Sequence, residues 1–256
     1  QLLDDAKKIV DEEKSSTPGW EKFLMDAIER EWIKEETNWQ LLQSGMNNKL
    51  TFLIGILGVS LFVISSIVGG LLIENYNILS QYISEADAID TKYGIILRTF
   101  GYIPSGVLIT LFCFLGVRYF HPSKLIRIGF YGIGIFYGLA TVTVGIFPCD
   151  SGCNKELIDP SSSQLIHNFV GLLTYLFVPI FMILIGLGLK KSHNNTFSLQ
   201  SIVCGVISIL FVFILVSNSN SEYIGLYQRI IESVFVIWII FCAILIKNKK
   251  PVGNNG

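Results

Sequence analysis

The stretch from Leu50 to Ile73 reads LTFLIGILGVSLFVISSIVGGLLI, twenty-four residues without a charge, and it decides which solvent the chain folds in. A helix needs about 17 to 25 predominantly apolar residues to cross the roughly 30 Å hydrocarbon core of a bilayer. In lipid, a helix is the one open segment that satisfies its own backbone donors and acceptors. The stretch lies too far from Gln1, and is too long, for a cleaved signal peptide, so it is expected to remain as an anchor.

Five further apolar segments follow, at Gly94 to Tyr119, Leu125 to Phe147, Leu165 to Leu189, Leu199 to Val216 and Ile224 to Ile246. Composition agrees: 51% of residues are hydrophobic, 15% are charged and the mean hydropathy is +0.56, whereas soluble domains carry about 25% charge. The expected fold is all-α, a polytopic bundle of six transmembrane helices preceded by a short soluble helical hairpin. The formal net charge of −1 conceals an asymmetry, because residues 1–45 hold 11 acidic and 6 basic side chains and residues 46–256 hold 9 and 13. No basic stripe with interleaved aromatics lies outside the apolar segments, which argues against a nucleic-acid partner. Membrane lipids are the expected surroundings, and oligomeric state is not readable.

Lys49, Arg118, Lys124, Arg127, Lys190, Lys191, Lys247, Lys249 and Lys250 fall on one side of a six-pass chain, against Lys92 and Lys155 on the other. By the positive-inside rule the first side is cytoplasmic. A multi-pass protein of the cell membrane with both termini inside is expected. The loops Glu74 to Tyr93, Pro148 to Gln164 and Ser217 to Tyr223 then face outward, and the sequon-like Asn194, Asn195, Thr196 faces inward.

Residues 1–45 read as an acidic amphipathic helical segment. Leu2, Leu3, Ala6, Ile9 and Val10 mark one short helix; after Ser15 to Pro18, Trp20, Leu24, Ile28 and Trp32 recur every four residues on a second. Met46, Asn47, Asn48, Lys49 looks like a natural start, so the segment is either a native hairpin, which could meet a protein partner, or an appended module. Residues 46–250 form the expected membrane domain, and residues 251–256 a flexible tail.

Cys113, Cys204 and Cys242 lie in apolar segments, where free cysteine packs as a small hydrophobe. Cys149 and Cys153 flank Asp150, Ser151, Gly152 in an outward loop, where a disulfide is allowed. Two thiols and His167 fall short of the four ligands of structural zinc, so no metal is expected. One membrane histidine is too few for paired haem ligands, and no cofactor is implied. Gly134 and Gly138 have the GxxxG spacing that lets helices approach closely. Pro104 and Pro179 are expected to interrupt the second and fourth helices, where a kink could frame a cavity.

Polar residues placed where lipid makes them costly carry the functional reading. Arg98 lies a turn inside the second segment, His167 opens the fourth, and Gln228, Arg229 and Glu232 lie in the first turns of the sixth. Glu85, Asp87 and Asp150 add acids from the outward loops. Arg98, Asp150, His167, Arg229 and Glu232 are expected to converge near the outer surface, with Arg229 and Glu232 paired three residues apart.

Ile83, Ser84, Glu85, then Arg98, the run Gly145, Ile146, Phe147, Pro148, Cys149, Asp150, then His167, and Gly225, Leu226, Tyr227, Gln228, Arg229 together resemble the six-pass prokaryotic membrane family known as domain of unknown function 998. The resemblance covers about residues 50–247. More distantly the chain resembles six-helix proteins of the Frag and DRAM type, without the prolines and asparagines that follow their Ile, Ser, acidic element. The family has no settled activity, so the resemblance implies fold and topology, and marks Glu85, Arg98, Asp150, His167, Gln228 and Arg229 as the positions to examine.

Three functions remain open. The bundle could bind or handle a lipid or other amphiphile in an outward-facing polar pocket, with Arg98, Gln228, Arg229 and Glu85 as ligand-binding residues and the arginines on an anion. It could instead be an intramembrane hydrolase or transferase, with His167 as general base oriented by Asp150 or Glu232. A small-solute transporter is the weaker alternative, since neither an inverted repeat nor a pair of broken helices is visible.

Overall fold

The computed structural model describes residues 48–190 and 195–248; the expectations for residues 1–45, Lys191, Asn194, Lys249, Lys250 and the tail lie outside them. Six helices are long and apolar enough to cross a membrane: α1 (Asn48–Leu72), α2 (Gly94–Tyr119), α3 (Lys124–Ile146), α4 (Ser162–Leu189), α5 (Thr196–Ser217) and α6 (Ile224–Lys247). There is no strand among the described residues. Two expected boundaries differ by three residues: α4 and α5 each begin earlier than their apolar runs. The reason is visible at α4. There Ser161 caps the helix, its hydroxyl accepting from Gln164 N at 3.0 Å. A polar first turn is invisible to hydropathy.

The helices pack as a closed ring in chain order, α6 returning to α1. Small residues set the close seams. Ser105 Oγ on α2 donates to Gly58 O on α1 at 2.7 Å, and Thr110 Oγ1 on α2 reaches Gly134 O on α3 at 3.2 Å. A Cβ on Gly138 would stand 2.7 Å from Thr110 N, so that seam requires a glycine. Between α4 and α5, Ser198 Oγ donates to Gly186 O at 2.6 Å.

Two helices depart from regular α geometry. In α2 the segment Arg98–Tyr102 is π-helical, and in α3 so is Gly134–Leu139. Pro104 has no N–H to offer the carbonyl four residues back, which frees the turn just before it to widen. Pro179 does not interrupt its helix: α4 runs unbroken from Ser162 to Leu189.

The half of the bundle that holds Asn48 and Lys247 is filled. Phe120 packs on Phe130 (ring centroids 5.0 Å apart) and on Phe197 (5.8 Å); Trp238 lies 5.9 Å from both Phe130 and Phe197. Trp238 is fully buried and its Nε1 donates to Ser201 Oγ at 3.0 Å. Cys113, Cys204 and Cys242 are buried in the helices. Outward-facing side chains such as Leu71, Ile95, Phe100 and Phe213 stay exposed all round the ring, the surface a lipid environment covers.

At the opposite end, loops 73–93, 147–161 and 218–223 form a cover. Leu226 N donates to Leu79 O and Ile89 N to Cys149 O, both at 3.0 Å, so the first loop is tied to α6 and to the second loop. Cys149 and Cys153 are joined by a disulfide within the second loop.

Candidate functional site

Under that cover lies a cavity of about 620 Å³. Its lining includes Glu232, eight residues into α6, which at 1.5 Å per residue is roughly 12 Å from the helix start. The carboxylate is 8% exposed and accepts from Tyr137 on α3 and from Tyr175 on α4, both at 3.0 Å. Beneath these two tyrosines lies Phe235, its ring 5.2 Å from Tyr137 and 6.5 Å from Tyr175, at the start of the filled half. Tyr102 from α2 and Phe62 from α1 complete the wall, edge to face at 5.6 Å. Tyr102 and Tyr137 both sit in the π-helical turns, where the extra residue re-aims side chains inward.

The rim comes from the loops. Tyr82, Ile83, Ser84 and Asp87 line one side, Cys153, Lys155 and Glu156 another, and Ser219, Asn220 and Ser221 a third. Ser84 Oγ donates to Cys153 Sγ at 3.2 Å. Burial pushes the Asp87 carboxyl up to about 7, against the lowering pull of the Arg98 guanidinium. Burial likewise raises the Tyr82 phenol, with Glu85 adding to the effect.

The sequence-derived candidates separate into two groups. Glu232, Gln228 and His167 line the cavity. Gln228 Oε1 accepts from Ile83 N at 2.7 Å, fixing loop to helix. His167 Nδ1 lies 3.0 Å from Phe147 O; a carbonyl can only accept, so Nδ1 carries a proton. No carboxylate contacts this imidazole among the described residues.

The other candidates hold the cover and do not line the cavity. Arg98 donates to the carbonyls of Asp87 and Ala88. Arg229 donates to Ile78 O (2.8 Å), Gln81 O (2.7 Å), Gly225 O (3.0 Å) and Tyr76 Oη (2.6 Å). Glu85 accepts from Tyr82 N at 2.8 Å and Gln81 Nε2 at 3.1 Å and pairs with Lys155 at 2.8 Å. Asp150 accepts from Ser161 Oγ at 2.5 Å and Ser161 N at 3.0 Å, hydrogen bonds that hold its carboxyl below the usual range.

The expected Arg229–Glu232 pair does not form. The arginine is drawn to the loop carbonyls above it and the glutamate to the phenols across the bundle. Tyr102, Tyr137 and Tyr175 were not among the sequence candidates, because tyrosine counts as apolar in a hydropathy window. Their signal is depth: each stands well inside a run of Ile, Leu and Phe, away from the interfacial belt where tyrosine is common.

Neither the curated proteins nor the solved structures contain a match to this chain. A family of membrane-protein sequences does match, over residues 56–245, a span that takes in α2 to α5 whole, most of α1 and α6, and every cavity residue named above. The chain therefore belongs to the family described as "Protein of unknown function (DUF998)".

Proposed function

We propose that the chain binds a lipid or lipid-like amphiphile in this cavity, with the polar end of the ligand on the tyrosine and glutamate floor. The observation that carries the reading is the contrast between floor and flank. Glu232 is held by two phenols at the bottom, while the apolar Leu172 on α4 lines the same space and is 58% exposed. Beside it, a Cβ on Gly171 would meet nothing within 4 Å, so an acyl chain has room to leave the cavity between α4 and the end of α5. The volume suits a single-chain amphiphile or one arm of a larger lipid. Read with the lysine and arginine bias of the loops, the cavity faces outward.

Two observations favour binding over hydrolysis or transfer. His167 is anchored on a backbone carbonyl and no acid orients it, so the base and its partner are not paired. The arginines that would stabilise a developing anion donate to loop carbonyls. Against transport stands the filled aromatic half below Phe235, which leaves the cavity blind.

Native mass spectrometry of protein purified in a mild detergent tests the reading. Wild type is expected to retain an amphiphile mass that Gly171→Trp, which fills the flank without meeting protein atoms at its Cβ, loses about tenfold or more. Equal retention by both, with helicity unchanged, would refute it.

A further inference from the structure

We propose that the head group this cavity takes is a protonated amine, with Glu232 as its counter-charge and the Tyr102 hydroxyl as a second acceptor. The inference rests on the amphiphile reading above and adds the chemical class of the head.

The floor is rich in acceptors and lacks a cation. Glu232 uses two of the roughly four lone-pair positions of a carboxylate on Tyr137 and Tyr175. The one ion pair among the described residues is Lys155–Glu85, at the rim, so no basic side chain balances Glu232. The two arginines at the covered end of the bundle, Arg98 and Arg229, are engaged with loop carbonyls.

Tyr102 supplies the second, independent observation. It is 5% exposed, it lines the cavity, and its hydroxyl is a buried polar atom without a hydrogen-bond partner. Such an orphan is a strong indication that a group outside the chain completes it. Asp87 adds a further carboxyl to the wall.

The three ligand charges can be ranked. An anionic head would meet a buried carboxylate with no cation beside it. A neutral head would leave that carboxylate without a counter-charge. An ammonium brings three N–H donors and a positive charge to a site offering carboxylate and phenol lone pairs and walled by Phe62, Tyr102 and Tyr137.

The test is thermal unfolding of the full chain in neutral maltoside micelles, titrated with dodecylamine, dodecyltrimethylammonium, dodecanol, dodecanoate and butylamine. Dodecylamine is expected to stabilise most, through a site abolished in Gly171→Trp. Glu232→Gln, which keeps the shape and hydrogen-bonding reach of the side chain, is expected to weaken dodecylamine by about tenfold or more while leaving dodecanol unchanged. Tyr102→Phe is expected to weaken dodecylamine and spare dodecyltrimethylammonium, which has no N–H to donate; it also removes an unsatisfied hydroxyl, so it should fold.

Dodecanol or dodecanoate binding as tightly as dodecylamine, or Glu232→Gln keeping wild-type affinity for the amine, overturns the inference and leaves the amphiphile reading standing. Butylamine matching dodecylamine keeps the amine site and overturns the amphiphile. No probe binding in a Gly171-sensitive way overturns both.

Discussion

Arg229 donates to three carbonyls and a phenol but to no carboxylate, which changes what its removal does. Arg229→Met leaves the Ile78 and Gln81 carbonyls without their donor and loosens the first loop from α6. A loss of about 2 to 4 kcal/mol is expected for hydrogen bonds to a charged group, read as a lower thermal midpoint. Arg229 and Glu232 share no partner, so Arg229→Met with Glu232→Gln should be additive within about 0.5 kcal/mol. Coupling of about 1 kcal/mol or more would mean that the two side chains meet after all.

Asp87, titrating near 7, gives a pH dependence of definite sign. Between the usual carboxyl value of about 4 and the folded value, the folded state holds the extra proton. The stability this contributes is complete below about pH 4 and is lost as pH rises to about 7, a difference of roughly 4 kcal/mol. Asp87→Asn should flatten that slope and be the more stable protein above neutrality. Thermal midpoints from mildly acidic to mildly basic buffer check it, and an unchanged slope would show that Asp87 is not the group responsible.

Among the elements, α2, α3 and α4 carry the main lesson about what the sequence reveals. Their existence and most of their ends follow from apolar length. The π turns at Arg98–Tyr102 and Gly134–Leu139 do not, because a single extra residue in a turn leaves hydropathy untouched. Yet those turns aim Tyr102 and Tyr137 at the cavity, so the part of the site that hydropathy cannot register is the part that builds its floor. Glu232, Gln228 and His167 were legible as costly polar groups in lipid; the arginines were equally legible but serve the cover.

Seam and flank glycines should also behave oppositely. Gly138→Ala forces a Cβ against the Thr110 backbone and is expected to cost about 1 to 3 kcal/mol. Gly171→Ala, with open space around it, should be neutral or slightly stabilising. Thermal midpoints of the two variants decide the matter, and equal midpoints would contradict the seam.

For the whole molecule, six passes and a lipid-facing belt were readable from composition and spacing alone. Orientation rests on the charge bias. A cysteine placed at exposed Ser219 is expected to react with an impermeant thiol reagent from outside cells, and one at exposed His121 is not. The reverse pattern would invert the protein and turn its cavity inward.

The filled aromatic half of the bundle has a kinetic consequence. A cavity closed below Phe235 opens only toward the loops and the α4–α5 flank, so a newcomer cannot push an occupant out through the filled half. Dissociation should therefore be first order and indifferent to how much competitor is present, with replacement governed by residence time. A chase in which excess unlabelled ligand leaves the release rate of labelled ligand unchanged is the signature of such a dead end.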